Sequence, residues 1–404
     1  MEQPAAGSRA RKPGLNVFGQ EGQAAASAAN LAAEQDLFGR HLVGATPRVW
    51  VTHAIIAINV VVFLAMLVDG AGLLEPNSAV HLRWGANFGP ITKEGEWWRL
   101  LACTFLHFGL LHIAMNMWAL WSAGGLVERL YGNFTFLAIY LFAGLTGSFA
   151  SLLWNADRVV SAGASGAIFG VYGALGAYVL RQPGSVPAGV LKSLSASTIA
   201  FIVYSIALGA VVSAIDNAAH AGGLAGGFVF AWLLARPLAP REFLSLQRAA
   251  VAIAAAAVVL GVLYALVPPP KYSYAEQKAA TAAIQQFSTE EDALAKRATA
   301  LVEDRKAGRI NDAQLGEAIE KELLPGWNAA YARFAALRIG RDAPIAGRVN
   351  ALTEFVGVRR DMFAEYAAGL RNNDAARMRQ AETLSARSQE LMKAMRAPDT
   401  KPKP

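Results

Sequence analysis

Seven apolar runs, each long enough to span a bilayer or nearly so, govern what this chain can become. They cover about residues 50–67, 105–126, 133–154, 165–180, 193–214, 219–235 and 248–268. A helix of ~20 residues crosses the ~30 Å apolar core of a bilayer, and the fourth run is short of that. Of 404 residues, 54% are hydrophobic and 17% charged, and mean hydropathy is +0.31. Such values exclude an ordinary soluble protein of this size. The expected architecture is an all-α polytopic membrane protein followed by a small helical extramembrane domain.

Charge sets the orientation. Arg9, Arg11, Lys12, Arg40, Arg48, Arg129, Arg181, Lys192, Arg236, Arg241 and Arg248 fall on one side of the alternating runs. The opposite short loops hold Arg158 and, between the fifth and sixth runs, no Lys or Arg; the longer loop 68–104 adds Arg83, Lys93 and Arg99. Lys and Arg collect on the cytoplasmic side of short loops. The N-terminus is therefore expected in the cytoplasm, and an odd number of spans carries residues 269–404 outside. Basic residues bordering spans account for much of the net charge of +7, so no nucleic-acid partner is expected. The single cysteine, Cys103, excludes an intrachain disulfide framework.

Residues 1–48 are Ala, Gly and charge with no apolar central stretch. They are expected to be a flexible cytoplasmic tail without a signal peptide, apart from a short interfacial helix near Leu31–Leu42. Loop 68–104 carries Trp84, Phe88, Trp97 and Trp98, rings suited to the headgroup region. Interfacial burial and a direct part in substrate access both fit that loop. After Pro268-Pro269-Pro270, helical spacing of Phe287, Leu294, Leu301, Ile310, Leu315, Ile319 and Leu323 predicts a hairpin or bundle. Breaks are expected at Gly308, Pro325-Gly326, Gly340 and Asn372-Asn373. This tail has neither His nor Cys, which excludes a zinc site or histidine-based catalyst there. Its expected use is scaffolding or binding of an unknown partner, with a disordered end from about Ala397.

Three polar clusters recur at one depth. From His112 to Arg129 is 17 residues; from Ser165 to Arg181 and from His220 to Arg236 is 16. At ~1.5 Å per residue each cluster lies roughly 24–26 Å from its basic end, so the three can meet below one face of the bilayer. Ser165, in Gly163-Ala164-Ser165-Gly166, opens a helix whose free N–H groups and positive end would stabilise an oxyanion. A serine hydroxyl needs a neighbouring base. His220, the one histidine of the sixth run, supplies it. His112 and Asn116, four apart on one helical face, are both donors suited to a tetrahedral oxyanion. Each piece alone also reads as a helix–helix hydrogen bond; co-occurrence at matched depth favours chemistry. His107 is expected nearer the surface, packed within the loop.

Gly223 and Gly227, facing Gly166, Gly170 and Gly173, would let the fourth and sixth runs pack closely enough to join His220 to Ser165. Phe169 then either contacts the imidazole or simply packs. Asp216 and Asp157 sit toward the outer loops, so a Ser–His dyad is favoured over a triad.

These residues resemble the rhomboid family of intramembrane serine proteases over about residues 50–236. The resemblance rests on Trp84-Gly85-Ala86-Asn87, Glu96-Trp97-Trp98-Arg99, His107 through His112 to Asn116, Gly124-Gly125-Leu126-Val127-Glu128, Tyr131-Gly132, Gly163-Ala164-Ser165-Gly166 and His220-Ala221-Gly222-Gly223-Leu224-Ala225-Gly226-Gly227. It implies a six-helix core at 49–236, with a cavity open to the extracytoplasmic side, and a linker with a seventh transmembrane helix at 237–268. It implies Ser165 as nucleophile, His220 as general base and acid, and His112, Asn116 and the Ser165 N–H as oxyanion donors. Implied substrates are single-span membrane proteins with helix-destabilised segments and small residues at the cut. Phe169 departs from the family's usual tyrosine, keeping the ring without the hydroxyl. No cofactor or metal is implied, and the expected location is a bacterial inner (plasma) membrane.

The competing reading is a catalytically inactive rhomboid-like protein that binds membrane clients, against which stands the full set of nucleophile, base and donors. A transporter would need inverted repeats and a polar path. An α/β-hydrolase elbow would need glycine where Ala167 stands, after a strand.

Overall fold

The computed structural model describes residues 17–155, 157–182, 184–187, 189–190, 198–199, 202–203, 205–207, 215–238 and 245–396. Among the described residues there is no strand; Asn87 and Ser161 form an isolated antiparallel bridge. The chain divides into two compact units, one made of residues up to Thr92 with Glu96–Pro268, the other of Lys93–Gly95 with Pro269 onward.

In the first unit the helices of seven or more residues, among the described residues, are α1 (Val17–Ala45), α2 (Val51–Val68), α3 (Ser78–Trp84), α4 (Gly109–Tyr131), α5 (Asn133–Asn155), α6 (Ser165–Arg181), α7 (Asn217–Leu234) and α8 (Leu246–Leu266). The apolar run expected at 193–214 lies largely outside the described residues. Among the described residues four helices, α2, α4, α5 and α8, are long and apolar enough to cross a membrane. The 17-residue α6 is the short run foreseen, and burial explains how it serves: Gly166 to Leu175 are all buried. A helix enclosed by other helices needs no lipid-facing length of its own. Conversely, α8 has only Ala252 buried, and beyond Gln247 and Arg248 of its first turn its exposed residues are apolar up to Tyr264, as lipid demands.

In the N-terminal segment one helix, Val17–Ala45, extends well beyond the short helix expected near Leu31–Leu42, and Phe38 and Leu42 are buried on it; residues 1–16 lie outside the described residues. The alanine-rich composition that reads as loose is also strongly helix-forming.

Glu128 fixes the end of the bundle at which α2 begins. Its fully buried carboxylate accepts from the N–H groups of Trp50 (2.9 Å), Val51 (2.8 Å) and Thr52 (2.8 Å) and from Thr52 Oγ1 (2.7 Å). These are the unpaired donors at the start of α2, so one side chain caps that helix and ties it to α4.

Loop 68–104 is folded rather than draped. Asn77 caps α3 by accepting from Ala79 N at 3.0 Å. Asp69 takes hydrogen bonds from Trp84 Nε1 and Arg83 Nη2, both 2.9 Å, which hold its carboxyl below the usual range. Arg99, 5% exposed, donates to Leu82 O (2.6 Å) and Ala86 O (3.2 Å) and pairs with Glu96 (2.8 Å). Of the four aromatic residues, Phe88 is buried, Trp97 packs edge-on to Tyr264 of α8 at 4.7 Å, and Trp98 is half-exposed.

The second unit holds α9 (Tyr274–Lys306), α10 (Asp312–Ala318), α11 (Leu324–Ala335), α12 (Ala346–Asn372) and α13 (Ala375–Arg396). Its core joins Phe287, Leu301, Leu315, Ile319, Leu323, Trp327, Phe334, Phe355 and Phe363. Breaks fall near Gly308, Gly340 and Asn373 as expected. Pro325-Gly326 is not a break: a π turn, Ile319–Leu323, links α10 to α11, and Pro325 occupies the first turn of α11. A proline is tolerated there because its missing N–H would have no intrahelical partner.

Candidate active site

The sequence around Ser165 contains its own reason for an exposed hydroxyl. Gly163 adopts φ of +138°, a conformation that disfavours side chains, two residues before α6 begins at Ser165. The serine therefore stands on the first turn of a helix, beside N–H groups that lack partners within it. It remains partly exposed.

His220 comes from the second turn of α7. That helix is capped by Asp216, whose Oδ1 accepts from Ala219 N at 3.0 Å and from Asn155 Nδ2 of α5 at 2.8 Å. Ser165 Oγ and His220 Nε2 are 2.8 Å apart. The Phe169 ring lies parallel to the imidazole, 4.3 Å between centroids and 6° between planes. Between the two openings of packing and contact, the structure thus selects contact. His220 is 6% exposed, and its Nδ1 has no hydrogen-bond partner among the described residues. Among the described residues no carboxylate hydrogen-bonds that nitrogen from behind; the Phe169 ring and the Asp216-capped helix hold the imidazole.

Glycine makes this proximity possible. A Cβ on Gly223 would overlap the carbonyl oxygen of Gly166, and one on Gly227 would overlap the backbone of Gly170. The main chains of α6 and α7 are in direct contact. A third helix, α5, joins them at Gly147, which faces Ala219 O, and at Thr146, which fills the space beside Gly226. That third participant was not foreseen.

On α4, His112 and Asn116 occupy the same face. The N–H of Phe108 donates to His112 Nδ1 at 3.3 Å, which makes Nδ1 an acceptor and puts the proton of the neutral ring on Nε2. That nitrogen faces Gly163: a Cβ there would lie 2.9 Å from it and 3.6 Å from Ser165 Oγ. Hence a donor points at the turn that carries the hydroxyl. Asn116, 6% exposed, donates through Nδ2 to His112 O at 3.0 Å, leaving the second N–H of that amide for another acceptor.

His107 is fully buried, with neither ring nitrogen hydrogen-bonded among the described residues, and its ring centroid is 5.1 Å from that of His112. Its carbonyl faces Nε2 of His81 at 2.9 Å, while His81 Nδ1 faces Asn77 O at 2.8 Å. Sequence reading gave His81 no role; a histidine in a short loop helix carries no periodic signal.

The arrangement can perform acyl transfer: a hydroxyl, a base in hydrogen-bond contact, and donors around the turn. Among the described residues no cluster of His, Cys, Asp and Glu could hold a metal.

Comparison with known proteins agrees in kind. The family model described as Rhomboid domain matches residues 94–237. "Rhomboid protease GluP" of Bacillus subtilis (strain 168) is 36% identical over 271 residues, 67% of this chain and 48% of that protein. "RHOMBOID-like protein 5" of Arabidopsis thaliana is 35% identical over 167 residues, 41% of this chain and 53% of the relative. "Rhomboid protease AarA" of Providencia stuartii is 31% identical over 192 residues, 43% of this chain and 68% of the relative. This chain thus spans about half the length of the first two.

Proposed function

This multi-pass integral membrane chain belongs to the rhomboid family, and from that premise we propose that it is an intramembrane serine endopeptidase cutting transmembrane segments of membrane proteins. The observation that carries the proposal is the 2.8 Å approach of Ser165 Oγ to His220 Nε2. His220 takes the hydroxyl proton as Ser165 attacks the scissile carbonyl. Negative charge gathers on the carbonyl oxygen, where His112 Nε2–H, the amide of Asn116 and the Ser165 N–H donate. The protonated imidazole then gives its proton to the leaving amine, and water, activated by the same histidine, releases the acyl chain.

Residues 49–236 are the catalytic core in this reading, 1–48 lie in the cytoplasm, 237–268 hold the linker and seventh span, and 269–404 lie outside and bind a partner. The membrane is the bacterial inner membrane, and the substrates are single-span proteins in that bilayer.

The test is cleavage of a model single-span substrate in proteoliposomes by the wild type and by Ser165→Ala. Product from the wild type alone is the expected result. Equal product from both removes this site from the reaction, and no product from either favours a client-binding protein.

A further inference from the structure

The helix that starts at Ser165 does not hold its own first turn. Its N-cap is Ala164, with no side chain to cap it. The geometry of the nucleophile turn must come from outside, and the outside contacts converge on Asn87. This residue is 1% exposed. Its N–H donates to Ser161 O at 2.9 Å, and Ser161 N–H donates back to Asn87 O at 2.8 Å. Two residues on, Gly163 N–H donates to Cys103 O at 2.9 Å. Residues 161 and 163 are thus pinned in an extended line, and Ser165 follows after one more residue.

The Asn87 side chain secures the other end of that line. Its Nδ2 donates to Ser148 O of α5 at 3.1 Å, and its Oδ1 accepts from Thr92 Oγ1 at 2.9 Å. Ser148 in turn donates through Oγ to Leu100 O at 2.8 Å and meets Cys103 Sγ at 3.3 Å. The same α5 packs through Gly147 on the carbonyl of Ala219, next to His220. One helix therefore references the nucleophile turn and the base.

We propose that Asn87 is a positioning residue for the nucleophile: its amide locks the loop backbone to α5, and that backbone sets where Ser165 Oγ stands relative to His220. This rests on Ser165 being the nucleophile. A displaced hydroxyl slows attack without altering how substrate docks, so the effect falls on kcat and on the serine's own reactivity.

The test uses the full chain in proteoliposomes. It measures kcat and KM on a single-span substrate, the rate at which a fluorophosphonate probe labels Ser165, and the thermal unfolding midpoint. Asn87→Ala is expected to lower kcat and labelling together by about 10–100-fold with KM within about twofold. Asn87→Asp keeps the acceptor for Thr92 but loses the donor to Ser148 O until its carboxyl is protonated. Its activity relative to wild type is therefore expected to rise as pH falls. Labelling of Asn87→Ala at the wild-type rate overturns the proposal, as does a kcat loss matched by loss of folded protein. Should Asn87→Ala fail to accumulate, Thr92→Val decides: it keeps the shape, removes the hydrogen bond to Oδ1, and should slow labelling several-fold, whereas unchanged labelling refutes the idea. A wild type that the probe does not label at Ser165 removes the protease reading and this inference together.

Discussion

Ser165 Oγ lies 2.8 Å from His220 Nε2, yet the opposite nitrogen of that imidazole meets no partner among the described residues. In a triad a carboxylate on Nδ1 fixes the tautomer and the ring plane. Here the ring plane is set by Phe169, parallel to it at 4.3 Å. Losing that surface frees the imidazole to rotate away from the hydroxyl. Phe169→Ala should therefore lower kcat by about 10-fold or more with little change in KM, while Phe169→Tyr, which restores the family's usual ring, should retain full activity. Steady-state kinetics on both variants checks this; a Phe169→Ala enzyme with wild-type kcat would mean that the capped helix alone orients the base.

Asn116 gives a different signature. One N–H of its amide is spent on His112 O at 3.0 Å, and the other is the donor assigned to the oxyanion. Because that charge exists only along the reaction path, Asn116→Ala should cost about 10²–10³ in kcat and little in KM. A rise in KM at constant kcat would instead make Asn116 a substrate-holding residue.

What could be read beforehand and what could not divide along a physical line. Ser165, His220 and their matched depth are side-chain chemistry placed at helical spacing, and glycines four apart advertise a close helix contact. The clamp through Asn87, Ser161, Gly163 and Cys103 is made largely of main-chain atoms, which every residue has, so no pattern announces it. Glu128 stood inside a motif carrying the family resemblance, yet its partners are backbone N–H groups of a distant segment. The π turn before Pro325 escaped for a related reason: a proline signals a break only when its position within the helix is known. The helix Val17–Ala45 has few apolar residues to set a period, and only its alanine-rich composition favours it.

The second unit offers a test independent of the membrane. Glu290 of α9 accepts a two-pronged hydrogen bond from Arg333 of α11, both contacts 2.9 Å, and this holds its carboxyl below the ordinary value of 4.5. A depressed carboxyl stabilises the fold above the ordinary value, and that contribution disappears as pH falls through the lowered one. Glu290→Gln should thus be less stable than wild type at pH 7, modestly because the pair is partly exposed. The gap should narrow as pH falls past the ordinary value of 4.5 and close below the lowered one. Hydrogen-exchange protection of α9 and α11, corrected for intrinsic pH dependence, measures it; a gap independent of pH would assign the loss to packing.

The contact of α6 with α7 supplies the last prediction. At Gly223 the space for a side chain is already occupied by the carbonyl oxygen of Gly166, and at Gly227 by the backbone of Gly170. Backbone atoms cannot swing aside as a flexible side chain can, so Gly223→Ala forces the helices apart. Separation of 1 Å would break a hydrogen bond that stands at 2.8 Å between Ser165 and His220, since such bonds weaken quickly beyond their usual range. Activity should fall by about 100-fold or more. Gly261 of α8 serves as the control, because nothing lies within 4 Å of a Cβ built there. Gly261→Ala should leave cleavage unchanged. Gly223→Ala retaining wild-type turnover would show that α7 can shift along α6 and still deliver its histidine, and that the glycine contact serves assembly rather than catalysis.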